Sequence, residues 1–555
     1  MKNLSIIFAG CFLILTSTSC KKDSSDPSQP ATFNYTSSKI NEQPGSLSVT
    51  DININPTIKI NFSAPVNKSV VPATVSLTEY GYSSLPVNYS YENNDSTIVI
   101  RPGSPLKNIT RYIVYLSPDL ESAANIKLNT PVNILFVTSI DSTDKFPLIT
   151  DDALLTLVQQ QTFKYFWNQG HPVSGMARER NSSADVVTTG GTGFGIMAIP
   201  VAISRNFISR SEGLTRTSLI VNFLKNNCTK YHGAFAHWIN GTTGATIPFS
   251  TNDNGADLVE TSYLMQGLLV ARQYFNSAVD PVEIDLRTKI NELWDAVEWN
   301  WFRKSNENVL YWHWSPNFNW IINAQVRGWN EALITYVMAS SSRTDSIPKI
   351  VYDNGWASNG GIRNNNTYYG YQLPLGPSNG GPLFFEHYSF MGINPIGLND
   401  AYADYQTQTT NHTKINYEYC RANPGHYFGY SALCWGLTAS DIPDNKYNAS
   451  EPNNDLGVIA PTAALSSFPY TPVESMQALK FFYYKLGNKL WGTYGFYDAF
   501  SLKDAWFDNS TLAIDQGPII VMIENYRTGL VWNLFTSCPE VKNGMRRLGF
   551  TAPYL

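Results

Sequence analysis

The residues of this chain best suited to chemistry are carboxylates placed where loops enter helices. The run Asn252-Asp253-Asn254-Gly255-Ala256-Asp257-Leu258-Val259-Glu260 passes from a Gly-containing turn into an apolar, helix-patterned segment. Side chains three apart on a helix share a face, so Asp257 and Glu260 point the same way. Two readings fit that spacing equally well: a capping box that only satisfies the helix N-terminus, and a pair of working carboxylates. A further acid, Glu331, stands in Arg327-Gly328-Trp329-Asn330-Glu331-Ala332-Leu333, again at a loop-to-helix junction. Acids favour first helical turns for electrostatic reasons alone, so one instance means little. Their repetition beside Gly, Asn and Trp is what a sugar cleft requires, with carboxyls to move protons and flat rings to hold a pyranose.

Other chemistries fit less well. Gly376-Pro377-Ser378-Asn379-Gly380 has the GxSxG spacing of a nucleophile elbow, but Pro374, Pro377 and Pro382 deny it the flanking strand and helix, so it reads as a loop. Gly190-Gly191-Thr192-Gly193-Phe194-Gly195 misses the GxGxxG register and has no Walker lysine. The seven histidines contain no HExxH, and His232 and His237 are off the helical spacing that would face one metal. No metal and no cofactor are expected. Asn411-His412, with Tyr405 and Tyr417 nearby, would suit β-elimination by a polysaccharide lyase, but lyases take uronic acids in basic clefts and Lys and Arg do not cluster there.

The elements that must position these residues fall into two textures. From 33 to 140, alternating segments such as Thr57–Phe62, Thr97–Ile100 and Arg111–Leu116 read as half-buried strands of an Ig-like β-sandwich, a spacer or docking module rather than a sugar binder. After a linker at 141–149, the period becomes helical from 150 to 555. Leu286, Ile290, Leu293, Trp294, Val297 and Trp301 trace one face of a long helix, and others are expected over 257–275, 329–340, 474–491 and 518–536. Long loops rich in Gly, Asn, Trp and Tyr join them, and no solenoid repeat is present, so an (α/α) barrel with a loop-lined cleft is expected.

Composition agrees. With 15% charged, 43% hydrophobic and 13% aromatic residues the chain is globular, and its formal net charge of -5 offers no footprint for nucleic acid. At the start, an apolar run from Leu4 to Leu15, too short to span a bilayer, leads to Ser17-Thr18-Ser19-Cys20. This resembles a bacterial lipobox: a signal peptide at 1–19, lipid attachment at Cys20, and a Ser/Asp/Pro tether at 20–32. The Leu of a lipobox normally lies three residues before the Cys, whereas Leu15 lies five before it. The expected location is the cell envelope, lipid-anchored to the outer membrane. Cys228, Cys420, Cys434 and Cys538 read as buried thiols, with a Cys420–Cys434 disulfide open as an alternative.

Thr189–Gly195, the Asp257/Glu260 segment, Gly328-Trp329-Asn330-Glu331 and Phe384-Phe385-Glu386-His387-Tyr388-Ser389-Phe390 together resemble the glucoamylase-like bacterial glycoside hydrolases, and among them the β-1,2-glucanases of glycoside hydrolase family 144. The similarity covers about 149–555. It implies an N-terminal all-β Ig-like sandwich followed by an all-α (α/α)6 toroid, and inverting hydrolysis of β-1,2-glucan to sophoro-oligosaccharides without metal. It also implies importance for Asp257, Glu260 and Glu331. Glu331, enclosed beside Trp329, suits the general acid, while the base stays open. Sugar contacts are expected from Arg178, His237, Trp238, Trp312, His313, Trp314, Trp320, Glu386, His387 and Tyr388, with Trp294 and Trp301 left to the core. The expected partners are a β-glucan poly- or oligosaccharide and, through Cys20, a membrane; the chain is expected to be a monomer. A non-catalytic glycan-binding surface lipoprotein is the alternative reading.

Overall fold

The computed structural model describes residues 32–44 and 48–555; the expected signal peptide, Cys20 and nearly all of the expected tether lie outside the described residues. Two compact units emerge. One comprises the residues up to Leu106 together with Tyr112–Phe136; the other comprises Lys107–Arg111 and Val137–Leu555.

The first unit is a two-sheet sandwich built from β1 (Tyr35–Ile40), β2 (Gln43–Pro44), β3 (Ser48–Ile52), β4 (Ile58–Phe62), β5 (Val75–Glu79), β6 (Val87–Glu92), β7 (Thr97–Pro102), β8 (Arg111–Leu116) and β9 (Val132–Thr138). One sheet runs β2-β1-β4-β7-β6 and the other β3-β9-β8-β5. A short α1 (Val71–Thr74) leads into β5. The alternation predicted from sequence has its cause here: Ile58, Ile60 and Phe62 of β4 and Tyr112, Val114 and Leu116 of β8 point into the shared core.

The second unit is a double ring of helices. Its inner members are α3 (Thr189–Ser204), α5 (Leu258–Tyr274), α7 (Leu333–Ser341), a pair of 3₁₀ turns at Leu383–Glu386 and Ser389–Met391, α10 (Pro461–Leu465) and α13 (Ala513–Thr528). The outer layer contains α2 (Asp151–Asn168), α4 (Arg210–Asn226), α6 (Pro281–Asp295), α8 (Lys349–Val351) continued by a π turn to Trp356, α9 (Tyr405–Ala422) and α11 (Pro472–Lys480). Between α11 and α13 lies α12 (Gly487–Leu490), and α14 (Leu530–Thr536) and α15 (Pro539–Leu548) close the chain. In the ring α3 packs on α5, α5 on α7, α10 on α13, and α13 back on α3. His387 Nε2 and Ser467 Oγ, 3.0 Å apart, join the 3₁₀ segment to the neighbourhood of α10. This is the (α/α)6 toroid. Inner helices α5 and α7 are buried all round, which is why their apolar residues show no single stripe, whereas α6 in the outer ring buries Leu286, Ile290, Leu293 and Trp294 along one face, with Glu283 beside them.

Some expected helices are shorter or broken. The 281–295 helix stops before Val297; Trp299–Arg303 is a separate 3₁₀ turn, so Trp301 belongs to another element. The 474–491 stretch becomes α11, a π turn at Phe481–Lys485 and α12. Gly529, at φ +69°, splits α13 from α14. Cys420 and Cys434 are free and buried, so the alternative disulfide does not form.

The Gly-rich run at 190–195 is explained by packing. A side chain at Gly193 would strike the Tyr263 carbonyl of α5, and one at Gly267 of α5 would strike the Gly193 carbonyl. The two inner helices therefore meet backbone to backbone. Gly193→Ala is expected to lower stability by about 1–3 kcal/mol, read by chemical denaturation, whereas alanine at the open, positive-φ Gly370 costs only its local backbone strain.

Candidate active site

The cavity that gathers two of the three predicted acids, Glu260 and Glu331, has a volume of about 490 Å³. Its walls include Glu260, Glu331, His237, Trp238, Tyr263, Trp312, Tyr388, Phe249 and Phe384, with Glu179, Arg180 and Tyr447. Each side chain arrives on a distinct element. Strand Val186–Thr188 pairs with Trp238–Asn240, setting Thr188 opposite Trp238. The two-residue ladder Ala256–Asp257 with His313–Trp314 brings His313 against Asp257. Glu331 ends the loop before α7, and Ser389 Oγ donates to its main-chain carbonyl at 2.5 Å, fixing the backbone that presents the carboxyl.

The two readings of the Asp257/Glu260 spacing are each half fulfilled. Asp257 is the N-cap of α5, its Oδ1 accepting from the Glu260 amide at 2.9 Å. The reciprocal bond of a capping box is not made, because the Asp257 amide donates to the Phe235 carbonyl. The Glu260 carboxyl turns away, and its Oε2 accepts from the Gly190 amide at 2.7 Å and from Thr188 Oγ1 at 3.4 Å. Gly190 leaves room for this: a Cβ there would lie 2.6 Å from that same oxygen.

Asp257 itself does not reach the cavity. It is fully buried behind Glu260 and His237, with Oδ2 taken by His237 Nδ1 at 3.1 Å and by His313 Nε2 at 3.4 Å. Burial pushes its carboxyl up, but the two imidazoles outweigh that and hold it well below the usual carboxylate range. Burial also works against charge on His237, yet Glu260 and Asp257 raise it to about 9, so an imidazolium faces the cavity at neutral pH. Glu260 is pushed upward by burial, against His237, with the Asp257 charge adding to the rise. Glu331 is raised to about 7, chiefly by burial, with Glu260 and Asp257 contributing. His237, Asp253 and Asp257 lie close enough together to suggest a metal triad. In this structure His237 Nδ1 lies 3.1 Å from Asp257 Oδ2, and His313 Nε2 lies 3.3 Å from Asp253 Oδ2 and 3.4 Å from Asp257 Oδ2, so imidazole–carboxylate contacts tie the group together.

Several predicted contacts lie elsewhere. Arg178 donates to the Ala184 carbonyl outside the cavity; its neighbours Glu179 and Arg180 form the wall instead. Trp314 packs edge-on against Trp301 and His232, and Trp320 packs on Trp301, at the rim of a different surface hollow. Glu386 is buried, accepting from Trp329 Nε1, Gln408 Nε2 and His412 Nδ1, and so ties its 3₁₀ turn to the loop before α7 and to α9 rather than holding a sugar. His387, also buried, is held neutral by desolvation, down to about 3. His313 supports Asp257 from behind. Of the predicted sugar contacts, His237, Trp238, Trp312 and Tyr388 line the cavity. The residues weighed for a lyase are committed elsewhere: His412 to Glu386 and the Gly381 carbonyl, Tyr405 to Asp400. Sequence reasoning missed Glu179, Arg180 and Tyr447, which sit on short strands and turns with no periodic signal; the Glu-Arg dipeptide ahead of the Gly-rich run was the one available hint.

Comparison with known proteins agrees with this geometry. The family model described as "Putative glucoamylase" matches residues 323–539, and that of the bacterial Ig-like domain matches residues 41–138. The chain is 47% identical over 429 residues, 73% of its length, to the exo β-1,2-glucooligosaccharide sophorohydrolase (non-reducing end) of Parabacteroides distasonis, and it spans 59% of that relative. It resembles the endo-β-1,2-glucanase of Chitinophaga pinensis, solved with sophorotriose and glucose, with a TM-score of 0.71 and 50% identity, covering 74% of this chain and 100% of that one. The β-1,2-glucanase structure from Parabacteroides distasonis gives a TM-score of 0.70 at 39% identity, covering 93% of this chain and 73% of that one. Half of the aligned residues are thus identical to those of a relative matched along its entire length, and the chain belongs to the glucoamylase-like family of bacterial glycoside hydrolases.

Proposed function

We propose that this chain hydrolyses β-1,2-glucan to sophoro-oligosaccharides with inversion at the anomeric carbon. The observation that carries the reading is that Glu331 and Glu260 meet in one aromatic-walled cavity, in a chain whose relatives are named for β-1,2-glucan hydrolysis. Glu331, protonated through much of the neutral range, gives its proton to the leaving glycosidic oxygen. Glu260, held by the Gly190 amide and Thr188, takes the proton of the attacking water from the other face. Asp257 is a positioning residue that starts α5 and orients His237, whose charge faces the sugar hydroxyls. Trp238, Trp312 and Tyr388 supply the stacking faces.

The N-terminal sandwich serves as spacer, and Cys20 carries a lipid that anchors a monomer to the outer membrane. The reading rests on the lipobox-like Ser17-Thr18-Ser19-Cys20 and the tether behind it. Metabolic labelling with a radiolabelled fatty acid, lost in Cys20→Ala, tests it.

Incubation with a panel of neutral glucans is expected to release sophoro-oligosaccharides from β-1,2-glucan alone. Glu331→Gln should lower kcat by about 10²–10⁴-fold while substrate still binds. Binding without product in the unaltered protein would overturn hydrolysis and favour a glycan-binding lipoprotein. Activity should fall as pH rises through about 7, where Glu331 loses its proton.

The same shift has a stability consequence. The folded state holds the Glu331 proton more tightly than the unfolded chain, so the stability it gives is complete below the ordinary carboxyl pKa and disappears as pH rises through about 7. Glu331→Gln should therefore be more stable than the parent at about pH 8, by roughly 1–3 kcal/mol, with the gap shrinking near about pH 5 in paired thermal melts. Asp257→Asn keeps a competent N-cap but removes a charge from His237. NMR titration should find the His237 pKa lower by roughly one unit or more.

A further inference from the structure

One inner member of the ring is not a helix but the two 3₁₀ turns Leu383–Glu386 and Ser389–Met391. Turns this short satisfy few of their own carbonyls, and here side chains from elsewhere do so. Tyr470 Oη donates to the Glu386 carbonyl at 2.8 Å, and Gln266 Nε2 of α5 to that of Tyr388 at 3.3 Å. Trp532 Nε1 of α14 donates to the Phe390 carbonyl at 2.6 Å, and Asn525 Nδ2 of α13 to that of Met391 at 2.9 Å. All four contacts are buried, so the segment is pinned from four parts of the chain.

From this pinned segment two side chains reach the loop that carries Glu331. Glu386 Oε1 accepts from Trp329 Nε1 at 3.0 Å, two residues before the acid. Ser389, fully buried, holds the other side: its Oγ donates to the Glu331 carbonyl at 2.5 Å and accepts from the Ile334 amide at 3.0 Å. That amide belongs to the first turn of α7, where a helix leaves its donors unpaired, and α7 has no side-chain cap of its own. Ser389 therefore supplies from another inner member what an N-cap hydroxyl ordinarily supplies from the same stretch of chain. Its one hydroxyl spans residues 331 to 334, the backbone that aims the Glu331 carboxyl.

We propose that Ser389 is a positioning residue for Glu331, capping α7 from outside and so holding the carboxyl at the cavity wall. The assignment rests on the reading of Glu331 as the general acid. Ser389 bonds the main chain and not the carboxyl, so it fixes the acid without competing for its proton. Displacement of such a group by about 1 Å is enough to cost turnover heavily, and a loosened turn also admits water, which favours the charged carboxylate.

The test is steady-state hydrolysis of β-1,2-glucan by the full chain, Ser389→Ala and Ser389→Cys. The cysteine variant fills the space of the hydroxyl with a weaker donor, in case alanine unsettles the fold. In Ser389→Ala kcat should fall by about tenfold or more while KM stays within about twofold, with a smaller loss in Ser389→Cys. The alkaline limb of kcat/KM, at about 7 in the parent, should move to lower pH. Glu260, Asp257, Tyr263 and Tyr388 face Glu331 in parent and variants alike, so the movement reads hydration of the carboxyl. A hydroxyl that served stability alone would lower Tm and leave kcat and the alkaline limb where they were; that outcome, in a variant with the parent's circular dichroism, overturns the assignment. Glu331→Gln separates the two levels. Parental kcat in that variant would overturn both the general acid and its positioning residue, whereas loss of turnover there beside parental kinetics in both Ser389 variants would overturn the role of Ser389 only.

Discussion

The contact between α3 and α5 governs the second unit. Gly193 and Gly267 let the two backbones touch, and nothing larger than hydrogen fits at either position. Because α3 also packs on α13, α4 and α2, this single crossing distance sets where the rest of the ring can lie. It sets the chemistry as well. The first turn of α3 is held against the first turn of α5, so the Gly190 amide reaches the Glu260 carboxyl. A main-chain donor at a helix start suits an anion, and here it fixes one acid of the cavity with no side chain spent on the task.

Around that fixed point the charges are arranged by depth. Asp257, the deepest, is surrounded by donors and stays ionised. Glu260 stands in front of it, and Glu331 enters from the loop before α7 with burial and two like charges against its ionisation. Burial raises both cavity-facing acids, but at Glu260 the rise is opposed by His237, the Gly190 amide and Thr188, whereas at Glu331 only a backbone hydrogen bond opposes it. His237 is the counterweight: its charge exists because Asp257 and Glu260 are there.

The features carried by local pattern were legible in the sequence. Strand alternation in the sandwich, the start of α5 at Asp257 and the position of Glu331 before α7 follow from periodicity and capping preferences. The 3₁₀ pair at 383–391, an inner member of the ring, was not legible as such, because short irregular turns leave no period; Glu386 and His387 therefore looked like site residues when they are internal ties. Trp314 and Trp320 looked like sugar platforms because they lie on a long loop, but that loop folds back so that each ring packs against Trp301. Glu179 and Arg180 reach the cavity through tertiary placement alone.

The dryness around Glu331 ties occupancy to acidity. A sugar entering the cavity displaces water that still reaches the carboxyl, so the neutral form gains over the charged one when the site fills. Complex formation near neutral pH is then accompanied by uptake of a fraction of a proton from the medium. The heat of association will carry the ionisation enthalpy of whatever buffer surrenders that proton, and affinity for the oligosaccharide will decline on the alkaline side even in a variant that cannot turn it over but keeps Glu331. Ligand and proton thus stabilise the same form of the site, each favouring the arrival of the other.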